Sequence, residues 1–441
     1  MSRFSGTRNF LKDNYLYLVH LKVNTPDSLQ VAFRKLYERR LRKMSGDLVR
    51  KILICLFSFF LLLSLLSCAH RFKLNQSRFL HSGGWESFRG NDRNTGYVPE
   101  PIDIPNKLLW SLETKKPLKS SPIIAQGVLF IGSLDKKLLF VDALSGEDLG
   151  RRKISTSISS SACAGDSILY FAQDKGDETF FALNLLTGDL LWKEKLGDIS
   201  SSPQIYQDQI FIGSNSGLFW AFNRFTGEKT WEFKTEDAIV STPACDGKLL
   251  FLGSADDHLY ALDKENGELR WKFQAEGSIY SSPAVKVENP ANGMNRMVHT
   301  NGGDDKVFFG SVDGHLYALK IKDGSFIWKF KTDREIYSSP AVADSLVYIG
   351  SNDYFMYAVD QTTGKLRWKF ETGGIIHSSP IAVGDKLFFG SYDGNFYVLD
   401  RFSGKLLWKY QTHGMISSSP AYYHGKIYIA SEDRTLYCFG F

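Results

Sequence analysis

Aspartates that recur at one position of a repeated pattern are the residues of this chain with the clearest potential for chemistry. A ring of carboxylates could collect cations, because carboxylate oxygens are preferred ligands of ions such as Ca²⁺. Aspartate is also favoured in tight turns, where its side chain accepts hydrogen bonds from nearby backbone N–H groups. We therefore expect these side chains to shape turns, and we expect no metal site. The series consists of Asp135, Asp256, Asp313, Asp353, Asp393 and Asp433.

Histidines and catalytic motifs give no stronger signal. His258 and His315 each follow the aspartate turn in neighbouring copies of the pattern. Side chains at equivalent positions of neighbouring units are badly placed to converge on one ion. The sequence patterns of a nucleophile elbow, a zinc-protease helix and a P-loop are absent. We expect no catalytic residue, no metal ligand and no cofactor-binding residue.

The cysteines are spaced for neither a haem site nor a disulfide between adjacent residues. No two are adjacent and no C-x-x-C-H sequence is present, so covalent haem attachment is not expected. Three of them are isolated on predicted strands, where we expect them to be buried as small apolar residues. The five cysteines are Cys55, Cys68 and the three strand residues Cys163, Cys245 and Cys438.

The N-terminal region has the sequence pattern of an export signal. Residues 52–66 form a run of 15 residues without charge, which is shorter than the ~20 residues of a membrane span and suits a secretory signal. Arg50 and Lys51 precede the run, and residues 65–68 resemble the lipobox of bacterial lipoproteins. Cys68 is therefore the predicted site of lipid attachment. The alternatives are a signal-anchor helix and an ordinary signal peptide with an unmodified cysteine.

Charge divides the chain into unequal parts. Lys and Arg exceed Asp and Glu by 53 to 48, but residues 1–43 alone hold ten basic and three acidic residues. From Cys68 onward the chain has 41 basic and 44 acidic residues, and this mildly acidic body argues against nucleic-acid binding. We predict an over-extended start or a basic tail at 1–43, a signal peptide at 44–67, a tether at 68–84 and one folded domain at 85–441.

A Ser-Ser-Pro phrase recurs at intervals of about 40 residues, which is typical of a β-propeller with one four-stranded blade per repeat. One copy reads Ser-Ser-Ala, and one interval is 57 residues because of an insertion at 288–306. We therefore predict an all-β fold with eight blades. The third residues of the copies are Pro122, Ala162, Pro203, Pro243, Pro283, Pro340, Pro380 and Pro420.

One repeat shows the four predicted strands of a blade. Residues 336–342 are the predicted innermost strand, where Pro340 is tolerable because the edge along the channel lacks a partner. Residues 346–350, 355–359 and 365–370 follow as the second, third and outer strands, separated by turns rich in Asp, Asn and Gly.

The ends of the repeat region predict how the ring closes. Trp110 lies 12 residues before Pro122, the offset of an outer strand in the other repeats, yet no first strand precedes it. The last repeat has a third strand at 435–439 and no outer strand after it. Residues 108–112 are therefore predicted to complete the last blade.

Residues 358–368 carry a motif found in a known family of propellers. Their sequence, AVDQTTGKLRW, resembles the A-x-D-x-x-T-G-x-x-x-W tryptophan-docking repeat of quinoprotein-like, or PQQ-repeat, β-propellers. Residues 85–96 also resemble the segment that precedes the first blade in such proteins. The resemblance implies that each tryptophan lies between adjacent blades and donates its N–H to a backbone carbonyl. These docking residues are Trp110, Trp192, Trp231, Trp271, Trp328, Trp368 and Trp408.

The copy of the docking motif after Asp142 has lost its tryptophan. Gly150 and Arg151 stand at the place where the ring is expected. We therefore expect a looser contact between this blade and the next.

One position varies between repeats and lies near the predicted channel mouth. Lys119, Tyr280, Tyr337 and His377 make one side of this mouth aromatic and basic, and we predict that they bind a partner. The alternative is that they pack against the next blade. The insertion at 288–306 is a second candidate for partner contact. The eight residues, each three before the end of a Ser-Ser-Pro copy, are Lys119, Ser159, Ser200, Val240, Tyr280, Tyr337, His377 and Ser417.

The family resemblance implies more than one function. Quinoprotein dehydrogenases hold pyrroloquinoline quinone beneath a disulfide of adjacent cysteines, which this sequence lacks. An eight-bladed propeller behind a lipobox instead resembles the BamB family of lipoproteins. That resemblance implies a non-catalytic scaffold without a cofactor, lipid-anchored in the outer membrane, facing the periplasm and binding protein partners of the β-barrel assembly machinery. The alternatives are a propeller that binds another periplasmic or surface ligand, and a PQQ-dependent dehydrogenase.

Overall fold

The computed structural model describes residues 84–287 and 305–441. The predicted start, signal peptide and lipid site, nearly all of the tether and most of the insertion lie outside these residues. Among the residues described, no helix is long and apolar enough to cross a membrane.

The described residues form eight sheets, each built on four antiparallel strands, which confirms the predicted all-β, eight-bladed propeller. Two short strands, β1 (Gly84–Trp85) and β2 (Tyr97–Val98), precede the blades, and β3 (Lys107–Glu113) belongs to the last one. Each blade runs from an inner strand at the channel to an outer strand at the circumference.

The first four blades follow one another along the chain. Blade 1 comprises β4 (Ile123–Ala125), β5 (Val128–Ser133), β6 (Lys137–Asp142) and β7 (Asp148–Lys153). Blade 2 comprises β8 (Cys163–Gly165), β9 (Ile168–Ala172), β10 (Phe180–Asn184) and β11 (Leu190–Glu194). Blade 3 comprises β12 (Gln204–Tyr206), β13 (Gln209–Gly213), β14 (Leu218–Asn223) and β15 (Lys229–Lys234). Blade 4 comprises β16 (Ala244–Cys245), β17 (Leu249–Gly253), β18 (His258–Asp263) and β19 (Leu269–Gln274).

The second four blades complete the ring. Blade 5 comprises β20 (Ala284–Lys286), β21 (Lys306–Gly310), β22 (His315–Lys320) and β23 (Phe326–Lys331). Blade 6 comprises β24 (Ala341–Ala343), β25 (Leu346–Gly350), β26 (Phe355–Asp360) and β27 (Leu366–Glu371). Blade 7 comprises β28 (Ile381–Val383), β29 (Lys386–Gly390), β30 (Asn395–Asp400) and β31 (Leu406–Gln411). Blade 8 comprises β32 (Ala421–Tyr423), β33 (Lys426–Ala430), β34 (Thr435–Gly440) and β3.

The position of a strand within its blade decides its hydrophobic pattern. Second strands are covered by the neighbouring blades on both faces, so they are continuous apolar runs such as LVYIG in β25, where every residue is buried. Outer strands keep one face at the solvent and alternate. In β27 the indole of Trp368 is buried, whereas Arg367 and Lys369 are exposed.

The ring closes as the sequence predicts. Strand β3 pairs with β34 in an antiparallel register that joins Trp110 to Cys438 and Leu112 to Leu436. The last blade therefore takes three strands from one end of the repeat region and its outer strand from the other. Only non-covalent contacts hold this pair together.

The prediction that Ser-Ser-Pro lies within the inner strand is wrong. Strand β24 begins at Ala341, and the three residues before it are irregular because their polar groups bond elsewhere. Gly350 N donates to the Oγ of Ser338 within the blade (3.4 Å), and Ser339 N donates to the Oγ of Ser379 in the next blade (2.9 Å).

The second serine of the phrase links the blades around the channel. Its backbone N–H donates to the hydroxyl of the equivalent residue in the next blade, and seven such bonds lie among the described residues. They join Ser121 to Ser161, Ser161 to Ser202, Thr242 to Ser282, Ser282 to Ser339, Ser339 to Ser379, Ser379 to Ser419, and Ser419 to Ser121. The recurrence of serine thus has a structural cause.

Residues 84–98 bind the inner edges of six blades, so the expectation that these edges lack partners is wrong for those blades. Strand β1 pairs with β4 of blade 1, and β2 pairs in parallel with β28 of blade 7. Between them, carbonyl groups of the segment accept hydrogen bonds from blades 2, 4, 5, 6 and 7. The donors are the backbone N–H groups of Ala164, Cys245, Val285, Val342 and Ala382.

Candidate functional site

The docking tryptophans join neighbouring blades through one repeated geometry. Six of them donate Nε1–H to a carbonyl of the next blade, at 2.9 to 3.3 Å. Each of these rings also lies against the glycine of the next blade's turn. A Cβ on Gly227, for example, would come within 2.7 Å of the indole of Trp192. The six are Trp110, Trp192, Trp231, Trp271, Trp328 and Trp368.

Trp408 differs from the other docking residues. It packs against Phe396 and Phe439, with ring centroids 6.4 and 5.5 Å away. Its neighbour is blade 8, in which β34 and β3 come from distant parts of the chain. Blade 8 therefore lacks the turn between third and outer strands that supplies the carbonyl and the glycine elsewhere.

The aspartate series organises turns and blade contacts. In blade 6, Oδ1 of Asp353 accepts from the backbone N–H of Phe355 (3.0 Å), and Oδ2 accepts from the hydroxyl of Tyr357 (2.7 Å) and from Asp333 N of the preceding blade (3.0 Å). The same tyrosine–aspartate bond recurs at 2.6 to 2.8 Å in blades 4, 5, 7 and 8. These five carboxylates therefore fix loop geometry, as expected from their turn chemistry, whereas Asp135 binds Lys137 (2.7 Å).

Two rows of side chains form what we call the channel rim. The first row is the variable position before each Ser-Ser-Pro copy. The second row lies in the turn between the second and third strands, and its backbone N–H donates in every blade to the carbonyl two residues before the first-row residue. In six blades the second-row residue directly precedes the aspartate of the turn, whereas blades 2 and 3 have no aspartate there. The second-row residues are Leu134, Asp174, Asn215, Ala255, Val312, Asn352, Tyr392 and Glu432.

Three of the four predicted partner-binding residues lie together at this rim. The rings of Tyr280 and Tyr337 stack with centroids 5.6 Å apart and planes 6° from parallel. His377 continues the row 4.8 Å from Tyr337, and Tyr392 lies 4.8 Å beyond His377. Tyr337 is the most open, with 38% of its surface exposed. The side chains therefore contact one another across blades 5 to 7.

Both ring nitrogens of His377 have hydrogen-bonding partners. Its Nδ1 lies 2.9 Å from the hydroxyl of Tyr392, and its Nε2 lies 2.9 Å from Oδ1 of Asn352, which can only accept. Burial lowers the pKa of His377 below its usual value, although the charge of Glu432 acts in the opposite direction. This shift favours the uncharged imidazole at neutral pH.

Lys119 lies apart from the aromatic row. Its Nζ is 4.0 Å from a carboxylate oxygen of Glu432, which also accepts a hydrogen bond from Ser417 Oγ (2.9 Å). The charges of Lys119 and Glu432 offset each other. Across the rim, Ser159 donates to Asp174 from its backbone N (2.8 Å) and its hydroxyl (2.7 Å). The rim thus has two arcs. The aromatic arc consists of Tyr280, Tyr337 and His377, with Tyr392 beside them, and the other arc has the smaller side chains of Ser159, Ser200 and Val240.

Sequence reasoning missed the second row. Tyr392, Asn352 and Glu432 contribute directly to the aromatic arc and its neighbourhood. A usable signal exists, since the residue between the recurring Ser and Asp of six turns is different in each of them. Only the fold shows that this variation and that of the first row meet at one place.

The carboxylates of the candidate metal cluster among the described residues already have ion-pair or hydrogen-bonding partners. Within the described ranges, ligand atoms of Glu276, Asp313 and His315 lie within 4.8 Å of one another. Glu276 binds Lys329 (2.7 Å), and Asp313 accepts from Tyr317 (2.6 Å).

The described cysteines do not fit the quinone clamp of the dehydrogenases. Cys163, Cys245 and Cys438 are free and buried on three different blades, and burial raises the pKa of each thiol. The adjacent-cysteine disulfide is therefore not available to hold the cofactor.

Comparisons with known proteins agree with this architecture. The family model described as outer membrane protein assembly factor BamB matches overlapping segments that together span residues 102–440. Among curated proteins, the BamB of Nitrosomonas eutropha is 22% identical over 189 residues, covering 42% of this chain and 45% of that protein. The dehydrogenase subunit of a quinone alcohol dehydrogenase of Gluconacetobacter polyoxogenes is 33% identical over 291 residues, covering 57% and 38%. The chain thus spans less than half the length of these relatives.

Solved structures with the same fold include both classes. The BamB of Moraxella catarrhalis superposes with a TM-score of 0.62 at 17% identity, covering 76% of this chain and all of that chain. The quinohemoprotein alcohol dehydrogenase of Comamonas testosteroni superposes with a TM-score of 0.69 at 12% identity, covering 85% and 83%. At these identities the likeness concerns the fold alone. The match over residues 102–440 is broader, and by it this chain belongs to the BamB family of PQQ-repeat β-propellers.

Proposed function

We propose that this protein is a non-catalytic scaffold of the cell envelope that takes part in outer-membrane protein assembly and binds protein partners through its channel rim. The observation that carries the proposal is the aromatic arc of Tyr280, Tyr337 and His377 on a chain of the BamB family. Partner binding energy concentrates in a few aromatic side chains held in place by their surroundings. Stacking and hydrogen bonds hold these rings before any partner arrives.

The outer edges of the blades are less suited to binding than the rim. Pairing with an incoming strand would require an exposed edge without charges. The outer strand β27 carries Lys369 and Glu371 on its solvent side, and β15 carries Glu232 and Lys234. Contacts through the rim are therefore the favoured mode.

The location of the protein belongs to the same proposal. A lipid on Cys68 would attach the propeller to the outer membrane on its periplasmic side, with residues 69–84 as the connection. Multiple acyl chains give stable anchoring, whereas a single chain binds membranes only marginally. An anchored propeller would keep its rim within reach of assembly partners.

The test is capture of envelope proteins by purified, tagged protein from detergent extracts. A variant with Tyr280→Ala, Tyr337→Ala and His377→Ala should lose an assembly-machinery partner that the wild type retains. The matched control carries Ser200→Ala and Val240→Ala on the other arc of the rim, and it should capture normally. Both variants should unfold within a few degrees of the wild type. Equal capture by all three proteins would contradict the role of the aromatic arc.

A second candidate function is quinone-dependent alcohol oxidation, favoured by the 33% identity to the dehydrogenase subunit. The described cysteines do not supply the clamp of adjacent cysteines. We expect calorimetric titration with pyrroloquinoline quinone and Ca²⁺ to give no saturable heat. A one-site isotherm with dye-linked alcohol oxidation would favour the enzyme.

A further inference from the structure

A cavity of about 670 Å³ lies between blades 1 and 2, where the docking motif has lost its tryptophan. It opens to the surface, and we call it the blade 1–2 groove. Its floor contains Phe171 and Phe181, which stack with centroids 5.1 Å apart and planes 13° from parallel. The other lining residues are Arg152, Lys153, Ile154, Ser155, Thr156, Gln173, Gly176, Asp177, Glu178 and Leu190.

Five of the other blade interfaces show what can fill this space. Two residues after the docking tryptophan, the outer strand carries an aromatic ring that packs against a tyrosine in the third strand of the next blade. The centroids lie 5.4 to 5.8 Å apart. The pairs are Phe233 with Tyr260, Phe273 with Tyr317, Phe330 with Tyr357, Phe370 with Tyr397, and Tyr410 with Tyr437.

In blade 1, the strand registers place Gly150 at the position of the docking tryptophan and Arg152 at the position of the second aromatic ring. Gly150 pairs with Phe140, as Trp231 pairs with Ala221 in blade 3, and Arg152 follows two residues later. Phe140 is fully buried beside Phe130, at a position where blades 2 to 6 have alanine. At the second position the side chain is that of Arg152 instead of a ring. Phe181 of blade 2, which stacks on Phe171 within its own blade, therefore receives no aromatic ring from the outer strand of blade 1.

The side chain of Arg152 lines one side of the groove. Its Nη1 donates to the carbonyl of Gly188 (3.0 Å), which fixes the guanidinium at the side of the groove. Burial lowers the pKa of Arg152, and the charge of Asp189 opposes that shift. Arginine side chains are not deprotonated in proteins, so the group is cationic at neutral pH. On the other wall, Glu178 and Asp177 form ion pairs with Lys193 (2.6 Å) and Lys195 (3.5 Å) of blade 2. A cation beside an aromatic floor favours a ring between them.

We propose that the blade 1–2 groove binds an aromatic side chain of a polypeptide partner, at a site separate from the channel rim. The occupant is inferred from the molecule itself, since five other interfaces place a phenyl or phenol ring in the equivalent space. The inserted ring would lie on Phe181 and beside the guanidinium of Arg152. A small apolar side chain would leave most of the cavity unfilled and gain little.

The test uses saturation-transfer NMR with purified protein and two acetylated, amidated peptides, Ser-Gly-Phe-Gly-Ser and its counterpart with alanine in the centre. The phenylalanine peptide should receive saturation in its ring protons, and the alanine peptide should receive almost none. Arg152→Phe fills the groove from within, as Phe233 does in blade 3, and should weaken binding by about tenfold or more. The matched control is Glu194→Phe, which adds the same ring at the equivalent position one blade later.

Each outcome decides the proposal independently of the rim. Binding that survives Glu194→Phe and is lost in Arg152→Phe supports it, provided that thermal unfolding shows the Arg152→Phe protein to be folded. Equal binding of both peptides, no transfer to either, or unchanged binding in Arg152→Phe would overturn it. Loss in both variants would place the binding elsewhere and would also overturn it.

Discussion

Truncation of Trp110 tests the non-covalent closure of the ring. The side chain is half-buried, donates to the carbonyl of Ala143 (3.3 Å), lies on Gly146 and contacts the ring of Tyr428 with centroids 5.9 Å apart. Removing a core tryptophan side chain costs ~3–5 kcal/mol, and partial exposure places Trp110→Ala near ~3 kcal/mol. For a domain of this size, such a loss lowers the unfolding midpoint by on the order of 5 °C.

The informative comparison is with Trp271→Ala. Trp271 is also half-buried, bonds the carbonyl of Ile321 (2.9 Å) and lies on Gly324, but its strand β19 is joined to β18 by a short turn. Strand β3 has no such connection to β34. Trp110→Ala should therefore lower the midpoint more than Trp271→Ala, and amide exchange should accelerate selectively in β3. Equal midpoints with no selective exchange in β3 would refute the closure argument.

Two further predictions concern pH and lipidation. Because burial depresses the pKa of His377 in the folded state, the stabilisation from its neutral form is complete above the unfolded pKa near 6.5 and is lost as pH falls through the folded pKa. Urea unfolding should thus show a larger loss of stability between pH 7.5 and 5.5 for the wild type than for His377→Gln, and equal losses would contradict this. Protein purified from bacterial envelopes should begin at Cys68 and carry acyl chains by intact mass, whereas an unmodified Cys68 would contradict the lipoprotein hypothesis.

The blade pattern could be predicted because it depends on the local periodicity of the sequence. Each repeat contains both the second and the third strand of its blade, and the predicted strand at 346–350 agrees with β25. Closure by β3 was also accessible, because Trp110 keeps the motif's offset from Pro122. These features depend on spacing along the chain, which the sequence records directly.

Features that depend on partners from distant repeats were not accessible. The second serine of each phrase is explained only when the next blade supplies its bond, as for Ser339 and Ser379. The depressed pKa of His377 was not accessible either, because the burial that causes it and the hydrogen bond with Tyr392 arise from the folded rim. Composition alone likewise does not show that Arg152 borders a cavity.

Photo-crosslinking from the aromatic arc tests the central claim most directly. A benzophenone amino acid placed at Tyr337 would be irradiated in intact cells, and the adducts would be identified by mass spectrometry. The same probe at Ser200 samples the other arc of the rim. We expect Tyr337 to give an adduct with a component of the outer-membrane assembly machinery and Ser200 to give little of it. Adducts from Ser200 alone, or none with any assembly component, would contradict the proposed function.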